Sequence, residues 1–200
     1  MNFNLPGLMY IQIVNNVCKY IQLTAEQQQI FIDHLKIRKI PPKTILLREG
    51  DICQFEGYIY KGCVRTFYVN ENGFEVTISF GIEDWWVSDI ASFHDQKPSK
   101  FFIETLEETE MLVLTPTSKA KLLMDLPKFE LFFRLLVQRN LSVLQNRLIN
   151  TIAQKAPERY LDFLKLYPSI PLRVPQYYIA SYLGVSAEFV SIIKKRLAKG

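Results

Sequence analysis

The 26 residues from Pro175 to Gly200 constrain this chain most, because their order of residue types suits two short helices meeting at a tight turn. Pro175-Gln176-Tyr177-Tyr178-Ile179-Ala180-Ser181-Tyr182-Leu183 reads as a helix entered through proline, which a first helical position tolerates. Gly184 supplies a left-handed turn at little steric cost. Val185 is expected as a buried pivot, Ser186 as an N-cap and Ala187 to Lys199 as a second helix. Ile179, Ala180, Leu183, Val185, Val190, Ile193 and Leu197 are the apolar positions that would lock the pair, with Ala180 small enough for a close crossing. The outer side of the second helix offers Glu188, Ser191, Lys194, Lys195 and Lys199. That is a helix-turn-helix pattern, since hydroxyl and cationic side chains on a short helix suit the major groove and its phosphates. Expected DNA contacts are Gln176 and Tyr177 near the backbone, Ser186 at the helix start, Ala187, Glu188 and Ser191 in the part that enters the groove, and Lys194 and Lys195 on phosphates. An ordinary helical hairpin with a solvated basic face is the alternative.

Charge distribution favours the first reading. Residues 150–200 hold eight basic and three acidic residues, net +5, whereas residues 1–149 hold sixteen and seventeen, net −1. The overall +4 therefore belongs to the C-terminal quarter, where a phosphate-facing surface is wanted. The excess is small, so one copy would bind weakly and salt-sensitively, and two copies on a palindromic site would remedy that.

An apolar content of 48% supports a real core and argues against disorder. No signal peptide and no membrane-spanning stretch is expected. Cys18, Cys53 and Cys63 are odd in number and unpaired in spacing, so they read as reduced thiols in a cytoplasmic protein. His34 and His94 are too isolated to form a ligand set; no metal and no cofactor is implied. No nucleophile–base pair or glycine-rich phosphate loop stands out, which argues against an enzyme.

The chain reads in three parts, 1–126, 127–154 and 155–200. Helix is expected to about Lys39, with a Thr24–Gln27 capping box and a stripe of Ile30, Phe31 and Leu35, closed by Pro41-Pro42. From Thr44 to Leu114 short strands follow at 44–48, 57–60, 64–69, 74–80, 101–106 and 110–114, with Asn70-Glu71-Asn72-Gly73 as a hairpin turn. Their spacing predicts a sandwich or roll. Alternation from Phe74 to Phe80 predicts apolar residues on one face and polar ones on the other. A long helix of about 40 Å is expected from Pro127 to Gln154. Phe133, Val137, Leu141, Leu144, Leu148 and Ile152 make a continuous apolar stripe, widened by Phe132, Leu135, Leu136, Val143 and Ile149. Phe133, Val137, Leu141, Leu144 and Leu148 are the expected dimer interface, because the stripe exceeds what one roll can cover.

Two stretches, Ile45-Leu46-Leu47-Arg48-Glu49-Gly50-Asp51 with Gly57 to Arg65, and Ile179 to Ser186, resemble the Crp–Fnr family of cyclic-AMP receptor and fumarate–nitrate regulators. The resemblance spans nearly the whole chain. It implies an α+β fold: an N-terminal cyclic-nucleotide-binding-like β-roll (jelly roll), a long dimerisation helix and a C-terminal helix-turn-helix. It also implies glycines at the turns of the roll, at Gly57 and Gly62 among others. In the family's phosphate-binding cassette a Gly-Glu pair meets the ribose and an arginine pairs with the cyclic phosphate. Here Ser88-Asp89 replaces Gly-Glu, and Ser99-Lys100 stands near the arginine, which removes the bidentate fork. Leu144 and Gln145 fall near family contacts to the base. The effector pocket implied is Ser88, Asp89, Ser99, Lys100 and Gln145, with Trp85 and Trp86 as structural plugs. These departures argue against cyclic AMP and leave the effector unidentified. Iron–sulfur and haem variants have no support, since only Cys18 precedes the roll. In relatives an arginine follows the recognition-helix serine and reads guanine; here Ile192 follows Ser191. A wing after that helix is expected to be missing or reduced.

The resulting expectation is a homodimeric cytoplasmic transcription regulator on a near-palindromic operator, with RNA polymerase as a partner if it activates and no membrane partner. The alternative is a module of the same fold that has lost DNA reading and works through protein contacts.

Overall fold

A computed structural model describes residues 5–197. The chain forms two compact units. One contains the chain up to Thr66 together with Phe80–Gln138; the other contains Phe67–Ser79 and the chain from Arg139 onward.

The first unit begins with helices α1 (Leu5–Cys18) and α2 (Ala25–Asp33). The α2 capping box forms as expected: Gln27 N–H donates to Thr24 Oγ1 at 3.3 Å and Thr24 N–H to Gln27 Oε1 at 3.1 Å. Helix does not run to Lys39, however. Lys36–Ile40 is strand β1, paired antiparallel with β8 (Thr109–Leu114) in the register Lys36 to Val113 and Ile40 to Thr109. Sheet pairing overrides the helix propensity of this Lys/Arg-rich stretch.

The other strands are β2 (Ile45–Leu47), β3 (Glu56–Lys61), β4 (Val64–Val69), β5 (Glu75–Gly81), β6 (Trp86–Val87) and β7 (Phe102–Thr105). They make two four-stranded sheets in the orders β1-β8-β3-β6 and β2-β7-β4-β5. Period-two alternation explains why every residue of β8 is buried. Met111 and Val113 enter the roll's interior with Leu47, Ile59, Val64 and Ile103. Leu112 and Leu114 face the opposite way, beside Tyr58, against helical residues Met9, Ile13, Phe31, Phe129 and Phe132. Gly57 is not a turn residue: it lies within β3, where a Cβ would stand 3.2 Å from Met111. Gly62 does turn, with φ +117°, and a Cβ there would meet Thr109 Oγ1 at 2.5 Å.

Helices α3 (Ile90–Asp95) and α4 (Pro116–Asp125) are additions to the expected elements. Helix α5 (Phe129–Ala153) is the long helix. Trp86 is a structural plug, donating from Nε1 to Asn16 Oδ1 at 3.0 Å and packing on Tyr58, Phe132 and Phe133. Asn16 Nδ2, Tyr58 Oη and Lys19 Nζ all donate to Asp84, which ties α1 to the roll.

The second unit contains the β4–β5 hairpin tip, the C-terminal part of α5, and helices α6 (Ala156–Leu166), α7 (Ile170–Arg173), α8 (Gln176–Leu183) and α9 (Ala187–Leu197). Tyr160, Phe163, Tyr167 and Tyr182 form its aromatic core, with ring centroids 5.2–6.3 Å apart. At the tip, Asn70 Oδ1 accepts from Asn72 and Phe74 N–H, and Gly73 takes φ +79°. The expected alternation along β5 fails. Phe74 is exposed and Thr77 fully buried, because Ser181 and Arg147 bind the backbone at Thr77. Arg147 donates to the carbonyls of Thr77, Ile78 and Tyr182, and its guanidinium lies 4.0 Å over the Tyr182 ring. No helix among the described residues is long and apolar enough to cross a membrane.

Candidate functional sites

The expected effector residues fall in both units. In the first, Ser88 Oγ donates to Phe55 O at 2.9 Å, next to Cys53 Sγ. Asp89 is buried and caps α3: one carboxylate oxygen accepts from Ser92 N–H at 3.2 Å, the other from Ser99 Oγ at 2.7 Å. Ser99 Oγ also accepts from Phe101 N–H. Structure brings Ser88, Asp89 and Ser99 together, while Lys100 is exposed. Gln145 lies exposed on α5 in the other unit. Each Asp89 carboxylate oxygen thus holds one hydrogen bond within its own loop.

Two buried ion pairs escaped sequence reasoning. Arg65 on β4 pairs with Glu104 on β7, and Lys119 on α4 pairs with Glu56 on β3 while lying 3.9 Å over the Phe133 ring. No local signal marks either pair, because strand order brings Arg65 to Glu104 and the packing of α4 brings Lys119 to Glu56. A cleft of about 560 Å³ in this unit is lined by Lys36, Arg38, Asp51 and Gln54 over Leu47, Phe55 and Val113, and by none of Ser88, Asp89, Ser99 or Lys100.

In the second unit, Gly184 ends α8 at φ +67°. Val185 N–H reaches Ala180 O at 3.1 Å and Gly184 N–H reaches Ser181 O at 3.3 Å, a Schellman closure. Ser186 Oγ accepts from Phe189 N–H, as an N-cap does. Ile179, Ala180, Leu183, Val190 and Ile193 are buried between the helices. Val185 is only half-buried and Leu197 is exposed, so neither locks the pair as expected; the Schellman turn carries Val185 toward solvent. Pro175 caps α8 rather than entering it. Lys199 lies outside the described residues.

Glu188 and Lys195 are exposed, and Ala187, Ser191 and Lys194 half-buried. Its own backbone N–H and the Ser186 hydroxyl hold the Glu188 carboxyl below the usual carboxylate range. Tyr177 is exposed and packs on Tyr178 with centroids 4.2 Å apart. Gln176 plays a part its sequence did not announce. Its Nε2 donates across the turn to Ala187 O at 2.6 Å and Ser191 Oγ at 2.7 Å, clasping α8 to α9. Along α5, Val137, Leu141, Leu144, Leu148 and Ile152 are exposed, rising to 62% at Leu148 and 78% at Ile152. Phe133 departs from the expected interface: at 7% exposure it belongs to the core around Phe129 and Phe132.

Comparison with known proteins adds the following. Residues 37–125 match the cyclic nucleotide-binding domain family. No curated protein sequence matches the chain. Among solved structures, the c-di-GMP-responsive global regulator CLP of Xanthomonas campestris is similar at 17% identity and a TM-score of 0.70, over 88% of this chain and 92% of that one. FixK2 of Bradyrhizobium japonicum gives 14% identity and 0.73, over 82% and 85%. A transcriptional regulator assigned to the Crp/Fnr family from Eubacterium rectale gives 17% and 0.67, over 94% and 87%. Residues 37–125 thus match the cyclic nucleotide-binding domain family, and the fold of the chain is similar to that of these solved regulators.

Proposed function

We propose that the chain is a homodimeric, DNA-binding transcription regulator of the cytoplasm, with a degenerate phosphate-binding cassette in its roll, a dimerisation helix in α5 and a helix-turn-helix in α8–α9. Its organisation is an effector-sensing roll over 1–126, the helix over 127–154 and the DNA-binding part over 155–200. Support for DNA reading rests foremost on α9, which carries Glu188 and Lys195 outward from a pair closed by Gly184, Ser186 and the Gln176 clasp. Ala187 and Glu188 lie at its N-terminal end, the end by which a recognition helix meets base edges, and Lys194 and Lys195 in its last turn suit contacts to phosphates. The exposed apolar row from Val137 to Ile152 supports a second copy as its cover.

For the cassette, Asp89 is committed to Ser92 and Ser99, and no arginine stands at Ser99-Lys100. A small-molecule effector other than cyclic AMP is the reading that fits this chemistry, acting by population shift through α5 on the two α9 helices. Exposed Phe189 and Ile192 on α9 favour a second reading, a module that works through protein contacts. A salt titration on random duplex DNA separates the two. Lys194→Ala with Lys195→Ala should weaken binding and flatten the salt slope by about 4, since the dimer loses two lysines from each protomer. Binding equal to wild type would reduce this face to a solvated surface.

A further inference from the structure

Position 192 bears on which base the protein reads. Ile192 is 43% exposed at the middle of α9, and its helical neighbours at three and four residues are Glu188, Phe189, Lys195 and Arg196, all exposed. An apolar branched side chain is therefore ringed by two cations, a carboxylate and an aromatic ring on the outward face. Ser191, the hydroxyl beside it, is turned aside by Gln176. A lone exposed isoleucine needs no explanation. One seated at the centre of the face that enters a groove determines what that face can accept.

Isoleucine has neither donor nor acceptor. Opposed to guanine, it would cover the N7 and O6 acceptors without replacing their water, and opposed to cytosine it would strand the N4 donor. The one apolar group a base pair offers in the major groove is the C5-methyl of thymine. We propose that Ile192 is a specificity-determining residue that selects thymine through its 5-methyl group, once in each half-site. This rests on the DNA-binding reading above.

The test uses full-length wild-type protein and a duplex enriched from a random pool by that protein. Each thymine of the enriched site is replaced in turn by deoxyuridine, which lacks only the methyl. One thymine per half-site should lose about fourfold in affinity, equivalent to about 0.8 kcal/mol for one buried methyl-sized group, and about fifteenfold when both half-sites are changed. Ile192→Ala should bind thymine and deoxyuridine duplexes alike. Ile192→Arg should shift the enriched base at that position toward guanine. Because Ile192 is partly exposed, both variants are expected to fold. If wild type enriches a sequence but no deoxyuridine weakens it, or if Ile192→Ala keeps the methyl preference, the assignment of Ile192 is overturned while DNA reading stands. If wild type enriches nothing, DNA reading falls and this assignment with it.

Discussion

Replacing Leu141 by glutamate tests the proposed dimer seam. Val137, Leu141, Leu144, Leu148, Ile149 and Ile152 are 40–78% exposed in one protomer. Fully burying such a side chain contributes about 1.5–3 kcal/mol, so completing a half-finished burial adds about 1 kcal/mol apiece. Six residues from each protomer then supply about 12 kcal/mol, against a rotational and translational cost of about 4–6 kcal/mol at the lower end of its range. The surplus of about 6–8 kcal/mol corresponds to a dissociation constant of about 1–50 μM. Leu141→Glu removes two of these contributions and places two carboxylates in the seam, each costing several kcal/mol to desolvate, so dissociation should rise at least about a hundredfold. Sedimentation equilibrium from low to high micromolar concentration reads both quantities, and helical circular dichroism should be unchanged because Leu141 is exposed in the protomer. A wild type that stays monomeric over this range, or a Leu141→Glu protein that associates equally well, would refute the reasoning.

Other perturbations address the remaining parts. Arg147→Ala removes three charge-assisted hydrogen bonds to backbone carbonyls and should cost the second unit about 3–5 kcal/mol by amide hydrogen exchange, a sum reduced by their shared donor. A loss below about 1 kcal/mol would mean the clamp is dispensable. Burial alone would raise the Asp84 carboxyl, but hydrogen bonds from Lys19, Tyr58 and Asn16, with the Lys19 charge, outweigh it and hold the group below its usual range. Its contribution to stability is therefore complete above the unfolded carboxylate range and lost as pH falls through the lower folded value. Asp84→Asn, which tolerates the left-handed φ of +69°, should flatten the acid limb of a pH–stability curve; an unchanged limb would remove Asp84 from that role. Millimolar cyclic AMP should move the melting temperature by no more than about 1 °C, whereas a ligand at a hundred times its dissociation constant would add about 2.7 kcal/mol. A clear shift would mean that Asp89 and Lys100 do replace the usual pair.

Much of the fold was legible because its signals are local. Thr24 and Gln27 cap each other within four residues, Val64–Val69 is a run rich in β-branched and aromatic residues beside a four-residue turn, and Gly184 with Ser186 writes out a helix end and a helix start. Thr115 and Ser118 likewise cap each other around Pro116 and open α4. What stayed hidden depends on partners distant in sequence. Lys36–Ile40 becomes a strand because β8 lies beside it, and Thr77 is buried because Ser181 and Arg147 arrive 104 and 70 residues later. The candidate sites divide the same way. The α8–α9 turn was readable from residue types, but the Gln176–Ser191 clasp requires the helices to have met, and the commitment of Asp89 to Ser99 requires the loop to have closed.

Recovery and sequencing of the source-genome fragments that bind the full-length protein tests the central claim most directly. The account predicts enrichment of a near-palindrome whose half-sites lie about 10 base pairs apart, one turn of the duplex, as two α9 helices related by a two-fold axis require. Fragments that are captured without a shared sequence, or that share an unpaired single site, would contradict a dimeric regulator reading DNA through α9.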